Sequence, residues 1–396
     1  MIKDTMLMRQ KYQQTFFYFL LIVFIFSLNG CSKTAEPPVD KQQGLTISFP
    51  EALFTDHLKI ARKESSPIIM NRLISLVNAS VNGSGIHISI FGCDYPALTT
   101  ALRNAANRGV NVHLMVDMSA EDTQKENLKI VNELKNIPRI DVVIVTNDAG
   151  NIAINHNKFA LFSKIETSAG EEKNVIFQTS HNFTIADSRK IQDAVVLKDQ
   201  ALYNAFKQYW EDIKIRAVVG MAFFDYREYI DETKGIYAYF LPKRKNNQFF
   251  GDDTIIEILE GIEEPESATI RIGMSGWTDT RLNIIEKLED LMAQGAEIQV
   301  VTKTGISAAI ESRLRSMKAN GAYVKIFADS KINIHSKYMV IDAKWKGQPR
   351  QLVVNGSQNF TRNALRYNAE VTMVLLQPSI YQAYHDNFEH IKQLPE

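Results

Sequence analysis

Apolar residues are unevenly distributed along the chain. Positions 16–28 form one nearly unbroken apolar run, whereas from residue 45 onward short β-like stretches alternate with amphipathic ones. The stretch 87–91 predicts a strand, 98–108 a helix ended by Gly109, and 110–116 another strand. The succession recurs later. A strand is predicted at 269–272, then a helix over 282–294 with Ile284, Leu288 and Leu291 at helical spacing and Gly295 as a left-handed stop, then a strand at 298–301. Such alternation implies a mixed or parallel sheet with helices on its faces. The stretch Lys243-Arg244-Lys245-Asn246-Asn247 interrupts the pattern and reads as loop.

Polar residues repeat as well. Asn155-His156-Asn157-Lys158-Phe159 matches Ile334-His335-Ser336-Lys337-Tyr338 at an offset of 179 residues. Ser180-His181-Asn182-Phe183-Thr184 matches Ser357-Gln358-Asn359-Phe360-Thr361 at an offset of 177, and Asp193 with Glu370 keeps that offset. Tyr203 and Tyr381, each followed by an aromatic–Glu pair, are 178 apart. Four landmarks in one order identify a duplication, with halves expected at 45–217 and 236–396 and a linker at 218–235.

In a strand, residues i and i+2 share a face. His156 therefore projects with Lys158, and His335 with Lys337, while Phe159, Leu161, Tyr338 and Val340 pack on the other side. An imidazole beside an ammonium suits a phosphate: Lys holds oxygen charge while His attacks phosphorus or moves a proton. Asn182, Asn359, Ser180 and Ser357 are expected to donate to the same oxygens. Asp193 and Glu370 are expected to accept the other ring N–H and fix the tautomer. A lone histidine on a strand is ordinarily structural, but recurrence of the unusual polar residues overturns that reading here. His181, opposite Gln358 in the repeat, is read as local hydrogen bonding, and His385 and His390, five apart on a helix, as exposed positions without a third metal ligand.

The pattern His335-Ser-Lys337 with Asp342 five residues on, followed by Gly356-Ser357-Gln-Asn359, resembles the HKD motif of the phospholipase D superfamily, and His156-Asn-Lys158 with Ser180-His-Asn182 resembles its partner copy. The similarity spans essentially all of 45–396, and 359–370 look most like the secreted bacterial members. The resemblance implies an α/β (α+β) fold of two pseudo-twofold-related domains, each a mixed sheet flanked by helices, with the active site at their interface. It implies two-step displacement through a phosphohistidine, with His156 as nucleophile and His335 as acid and base, and with neither metal nor other cofactor. Asp342 is carried over as the supporting HKD carboxylate. Ser163 stands at that place in the first copy, which leaves Asp193 to keep His156 competent or the first site weakened.

The N-terminus changes the setting. Lys3, Arg9 and Lys11 precede the apolar run, which at 13 residues is shorter than the ~20 of a spanning helix and fits a signal-peptide core. Leu28-Asn29-Gly30-Cys31 resembles a bacterial lipoprotein box. That implies removal of 1–30, acylation of Cys31, a tether over 31–44 and, with Ser32 next, the periplasmic face of a Gram-negative outer membrane. Cys93 is then the one remaining cysteine, so no intramolecular disulfide or cysteine-type metal site is expected, and it reads as a small buried residue.

Charge is balanced, 45 basic against 45 acidic residues, and 42 against 44 without 1–30. This argues against a protein that coats nucleic acid by bulk electrostatics. The expected partner is a phospholipid membrane, with Tyr95 and Trp277 as candidate acyl contacts. A nuclease with a local basic groove, and a binding module with a failed site, are the alternatives. A chain with both half-sites needs no dimer, so a monomer is expected.

Overall fold

The computed structural model describes residues 44–146, 153–219 and 224–395. The expected signal segment, Cys31 and most of the tether lie outside the described residues, as does 220–223 of the expected linker. No helix among the described residues is long and apolar enough to cross a membrane.

In the first half, Glu51–Phe54 (β1), Gly85–Ile90 (β2), Asn111–Asp117 (β3), Ile140–Val145 (β4), Lys158–Thr167 (β5), Gly170–Thr179 (β6) and Asp193–Lys198 (β7) form one sheet, in the order β1-β7-β6-β5-β2-β3-β4. The second half begins with Arg227–Asp231 (β8), Ile236–Leu241 (β9) and a hairpin of Arg244–Lys245 (β10) with Gln248–Phe249 (β11). Ile262–Glu263 (β12), Thr269–Met274 (β13), Glu297–Lys303 (β14), Tyr323–Phe327 (β15), Lys337–Trp345 (β16), Gln348–Gly356 (β17) and Glu370–Leu375 (β18) follow. The second sheet runs β8-β9-β18-β17-β16-β13-β14-β15, strand for strand the order of the first with β8 added at one edge, and β12 pairs with β16. In each, three parallel strands adjoin an antiparallel set, so the sheets are mixed, as the β–α–β alternation implies.

Two stretches differ from expectation. Residues 227–231 of the expected linker are a strand, because their backbone completes the sheet edge beside β9. The expected loop at 243–247 begins a hairpin. Asn246 and Asn247 have φ of 49° and 64°, the left-handed pair that a two-residue type I′ turn requires.

Both faces of each sheet are buried, which is why the strands read as nearly continuous apolar runs. Phe159, Leu161, Ile176 and Val195 of the first sheet share one core with Tyr338, Val340, Val353 and Val371 of the second. The helices Gln200–Val219 and Pro378–Gln393 complete it with Phe206, Trp210, Tyr384 and Phe388. Alternate residues point outward. Ala160 and Phe162 join a core under the helices Ile68–Ala79 and Pro96–Asn107, and Met339 and Ile341 one under Leu282–Ala293 and Ala308–Ala319. Gly44–Glu396 is one compact unit and contains all three cores.

Buried tyrosines lock the halves. Tyr209 of the first half donates to the Leu241 carbonyl at 2.7 Å, and Tyr384 of the second donates to Asp193 Oδ2 at 2.8 Å while accepting from Asn355 Nδ2 at 3.0 Å. Tyr384→Phe leaves both partners unsatisfied in the core, and a destabilisation of about 1–3 kcal/mol is expected by denaturant unfolding. An unchanged midpoint would show that this contact does not hold the halves together.

Candidate active site

Each histidine is placed by the opposite half. His156, two residues before β5 begins, donates its backbone N–H to the Ala369 carbonyl at 2.9 Å, and Ala369 donates to Ile154 at 2.9 Å. Symmetrically, His335 N–H donates to Ile191 and Ile191 N–H to Asn333, both at 2.9 Å. The residue after each bridge then meets the imidazole. His156 Nδ1 lies 2.9 Å from the Glu370 carboxylate, and His335 Nδ1 lies 2.8 Å from Gln192 Oε1. Both pairs leave Nε2 as the nitrogen available for chemistry.

This corrects the expected role of Asp193, which touches neither ring in a hydrogen bond. Its Oδ1 accepts from Ser180 Oγ and its Oδ2 from Tyr384, both at 2.8 Å. The equal offsets of Asp193 and Glu370 mislead by one residue. Ser180 N–H bonds to the carbonyl of Asp193, whereas its counterpart Ser357 bonds to that of Val371. In strand register Glu370 therefore corresponds to Gln192. A one-residue slip sends a side chain to the other face.

Three further assignments change. Asp342 lies five residues along β16 from Lys337, roughly 17 Å at strand rise, where its carboxylate accepts from Gln351 at 3.0 Å near the surface. Its counterpart Ser163 accepts the Gly85 N–H at 2.8 Å, so the departure from the motif is a strand contact and not a lesion in the site. Ser180 and Ser357 hold carboxylates and backbone instead of facing outward: Ser180 Oγ donates to Asp193, and Ser357 Oγ accepts from Val371 N–H at 3.2 Å beside Glu370. Asn182 spends its amide on Asp187 Oδ2 at 2.8 Å. Asn359, in contrast, has no side-chain hydrogen bond among the described residues; its Oδ1, like that of Asn182, is buried without a partner, and its Nδ2 is not spent on a carboxylate. Trp277 is fully buried against Phe360, which removes it as an acyl contact, and Tyr95 packs on the outer core of the first half.

Lys158 and Lys337 are both fully buried, each bonded to the carbonyl of the histidine two residues before it, and Phe91 covers the Lys158 ammonium at 5.3 Å and the His156 ring at 5.0 Å. Burial pushes Lys158 down to about 8, and burial followed by repulsion from Lys158 holds Lys337 well below the ordinary lysine range. Burial and then the adjacent Lys337 ammonium lower His335, whereas for His156 the Glu370 carboxylate opposes the effect of burial. Burial alone would raise Glu370, but His156 and Lys158 outweigh it and keep the carboxylate ionised. Asp193 is raised by burial against its hydrogen bonds. Two crowded ammoniums and an unpaired amide form a site ready for an anion, with two imidazoles to exchange its protons.

Sequence reasoning missed Gln192, Asp187 and Phe91. Asp187 sits 4.0 Å from His335 Nδ1, and against the effect of burial His335 and Lys190 hold its carboxyl far below the usual range. It has no acidic counterpart in the second half, so the repeat offered no signal for it. Gln192 was recoverable only from strand register. Cys93 and His181 are buried, and His181 Nδ1 bonds to the Asn182 carbonyl. No group of three His, Cys, Asp or Glu side chains among the described residues is arranged to hold a metal.

The family model described as cardiolipin synthase, PLD-like domain, matches the chain twice, at residues 73–214 and 258–392. A phospholipase D of Rickettsia typhi is 32% identical over 126 residues, covering 32% of this chain and 53% of that protein; a Rickettsia felis phospholipase D is 30% identical over the same length. The alignment thus spans about half the length of the relatives it matches. Among solved structures, phosphatidylserine synthase of Haemophilus influenzae Rd KW20 superposes with a TM-score of 0.58 at 9% identity, covering 89% of this chain and 88% of that one. Polyphosphate kinase of Porphyromonas gingivalis gives 0.55 at 14% identity over 87% of this chain and 50% of that one. At these identities the structures establish the fold alone.

The buried lysine sets a pH dependence. Between about 8 and the ordinary 10.5, the unfolded chain keeps the Lys158 proton that the folded chain has released, so this group makes stability rise with pH across that window. Lys158→Met should remove the rise. Urea midpoints of wild type and variant at matched ionic strength test it, and parallel profiles would refute a buried, charge-strained lysine.

Proposed function

The chain belongs to the phospholipase D-like family, a superfamily of phosphodiesterases, and on that premise we propose that it hydrolyses membrane phospholipids to phosphatidic acid through a phosphohistidine at His156. The supporting observation is the unequal pair of histidine partners. Attack by His156 Nε2 on phosphorus places positive charge on the ring, and the Glu370 carboxylate at Nδ1 offsets it. His335 has a carboxamide at Nδ1 and its nearest carboxylate, Asp187, only at 4.0 Å, so its protonated form is less fully offset than that of His156 and gives a proton to the leaving alkoxide.

In the first step the P–O bond to the headgroup alcohol breaks as the P–N bond forms, and His335 protonates the departing oxygen. Water then attacks phosphorus, His335 takes its proton, and His156 leaves. An acceptor alcohol in place of water would give phosphatidyl transfer by the same route. Lys158, Lys337 and the Asn359 amide would bind the phosphoryl oxygens, where transition-state charge gathers. Choice of a phospholipid draws on the likeness to the Rickettsia phospholipases D, the expected acyl anchor at Cys31 and the balanced charge of the chain. The lipoprotein-like Leu28–Cys31 box with Ser32 next supports the periplasmic face of a Gram-negative outer membrane as its location, and the presence of both half-sites in one chain supports action as a monomer.

Protein beginning at Ser32, given mixed phospholipid vesicles with EDTA, should release phosphatidic acid detectable by mass spectrometry, and His156→Ala and His335→Ala should not. Folded wild type without product would redirect the assignment to nucleic acid or another phosphodiester. Lys337→Ala should lower turnover by ~10²–10³ with the fold intact. Phosphoenzyme trapped by acid-free quenching should carry its label on His156; label on His335 alone reverses the two roles.

A further inference from the structure

The hairpin that interrupts the sequence pattern lies beside the site and is not used by the chemistry. Lys245–Asp252 is the longest run of consecutive exposed residues among the described ones. It contains Phe249 and Phe250, 41% and 40% exposed, which are the only exposed aromatic pair among the described large hydrophobics. Their exposure is held in place. Phe249 meets Tyr367 edge-on at 5.1 Å with the Arg244 guanidinium 5.5 Å from its ring, and Phe250 meets Tyr226 edge-on at 5.7 Å with Lys243 at 5.5 Å. Exposed Lys245 and Arg362 flank the rings. Of the nearby acids, Asp253 pairs with Arg281 and Arg366 and Glu257 with Lys243, while Asp225, Glu228 and Asp252 are exposed, Asp225 accepting the Asn246 N–H and Glu228 the Tyr226 hydroxyl.

Arg366 braces the hairpin. It donates to the carbonyls of Phe250 at 3.1 Å and Gly251 at 2.7 Å. It also ends the short helix Arg362–Arg366 that joins Asn359 to Glu370, so the hairpin is fixed to the segment carrying two residues of the site. Lys243 and Arg244 are buried and brace the rings from within, and Lys245 and Arg362 are the exposed cations beside them. Solvent-facing aromatics with such flanking cations match the interface of an anionic bilayer, where rings enter the acyl boundary and the exposed ammonium and guanidinium groups meet headgroup phosphates. A convex hairpin lacks the groove with which a protein tracks a nucleic-acid strand.

We propose that the β10–β11 hairpin, through Phe249, Phe250 and Lys245, docks the molecule on an anionic phospholipid surface beside its active site. The choice of partner rests on the phospholipid reading above, but docking is measured without turnover. Cosedimentation with phosphatidylcholine vesicles, with and without phosphatidylglycerol, is compared for the full chain and for Gly44–Glu396, the compact unit that contains all three cores. Wild-type Gly44–Glu396 should bind the anionic vesicles, the Phe249→Ala/Phe250→Ala double variant at least about tenfold more weakly. Lys245→Glu, at an exposed position outside all three cores, should lose only the phosphatidylglycerol-dependent part. Wild-type binding by the double variant, no binding by wild type, or loss of single-stranded oligonucleotide binding with vesicle binding intact would overturn the proposal. Docking without phosphatidic acid would sink the phospholipase reading alone; phosphatidic acid release with hairpin-independent docking would sink the hairpin alone.

Discussion

Two pairs of backbone hydrogen bonds between the halves, at His156–Ala369 and His335–Ile191, fix everything else about the site. They are short parallel bridges outside the sheets, and each delivers the next residue of one half to the imidazole of the other. The shared core brings the sheets together, but apolar packing is indifferent to a displacement of an ångström. The bridges are directional, and they set which side chain meets which ring. Neither half holds a complete site, because the partner of each histidine belongs to its twin.

The cost of the arrangement is concentrated in Lys158 and Lys337. Each is removed from water, and each raises the potential felt by the other. Glu370, Asp193 and Asp187 relieve the crowding without pairing either ammonium in a direct salt bridge. A phosphoryl group arriving between the imidazoles would meet donors already desolvated and oriented, so little reorganisation remains for the transition state. The same strain is a stability liability that the apolar core on all sides offsets.

Much of this was legible in the chain. The strands and helices around 87–116 and 269–301 lie within a few residues of their predicted positions, and the His–Lys pairs stand out because rare polar residues recur in register. What failed was finer than a motif. Equal spacing suggested Asp193 for a place that strand register gives to Gln192, since alternation across a strand is invisible to a count that ignores the turns between strands. Asp342 was carried over with its motif to a point far along the strand. Trp277 looked available because a strand end gives no measure of burial, and Asp187 had no twin to reveal it. The Asn246-Asn247 turn was present in the letters but was read only as an interruption.

A site built by duplication is nearly a palindrome. A phosphodiester lying across its pseudo-twofold axis has two unlike arms, and a perfectly symmetric cleft would admit it either way round with equal consequence. Substituting a carboxamide for a carboxylate at one imidazole gives the cleft a polarity. In one direction the attacking ring would be backed by the Glu370 carboxylate and the departing arm would face His335; in the other, charge would build on the ring bonded to Gln192, whose nearest carboxylate, Asp187, is 4.0 Å away. On the proposed chemistry, the unlike partners of the two rings would give direction to an architecture that has none, and would decide which of the two ester bonds is severed.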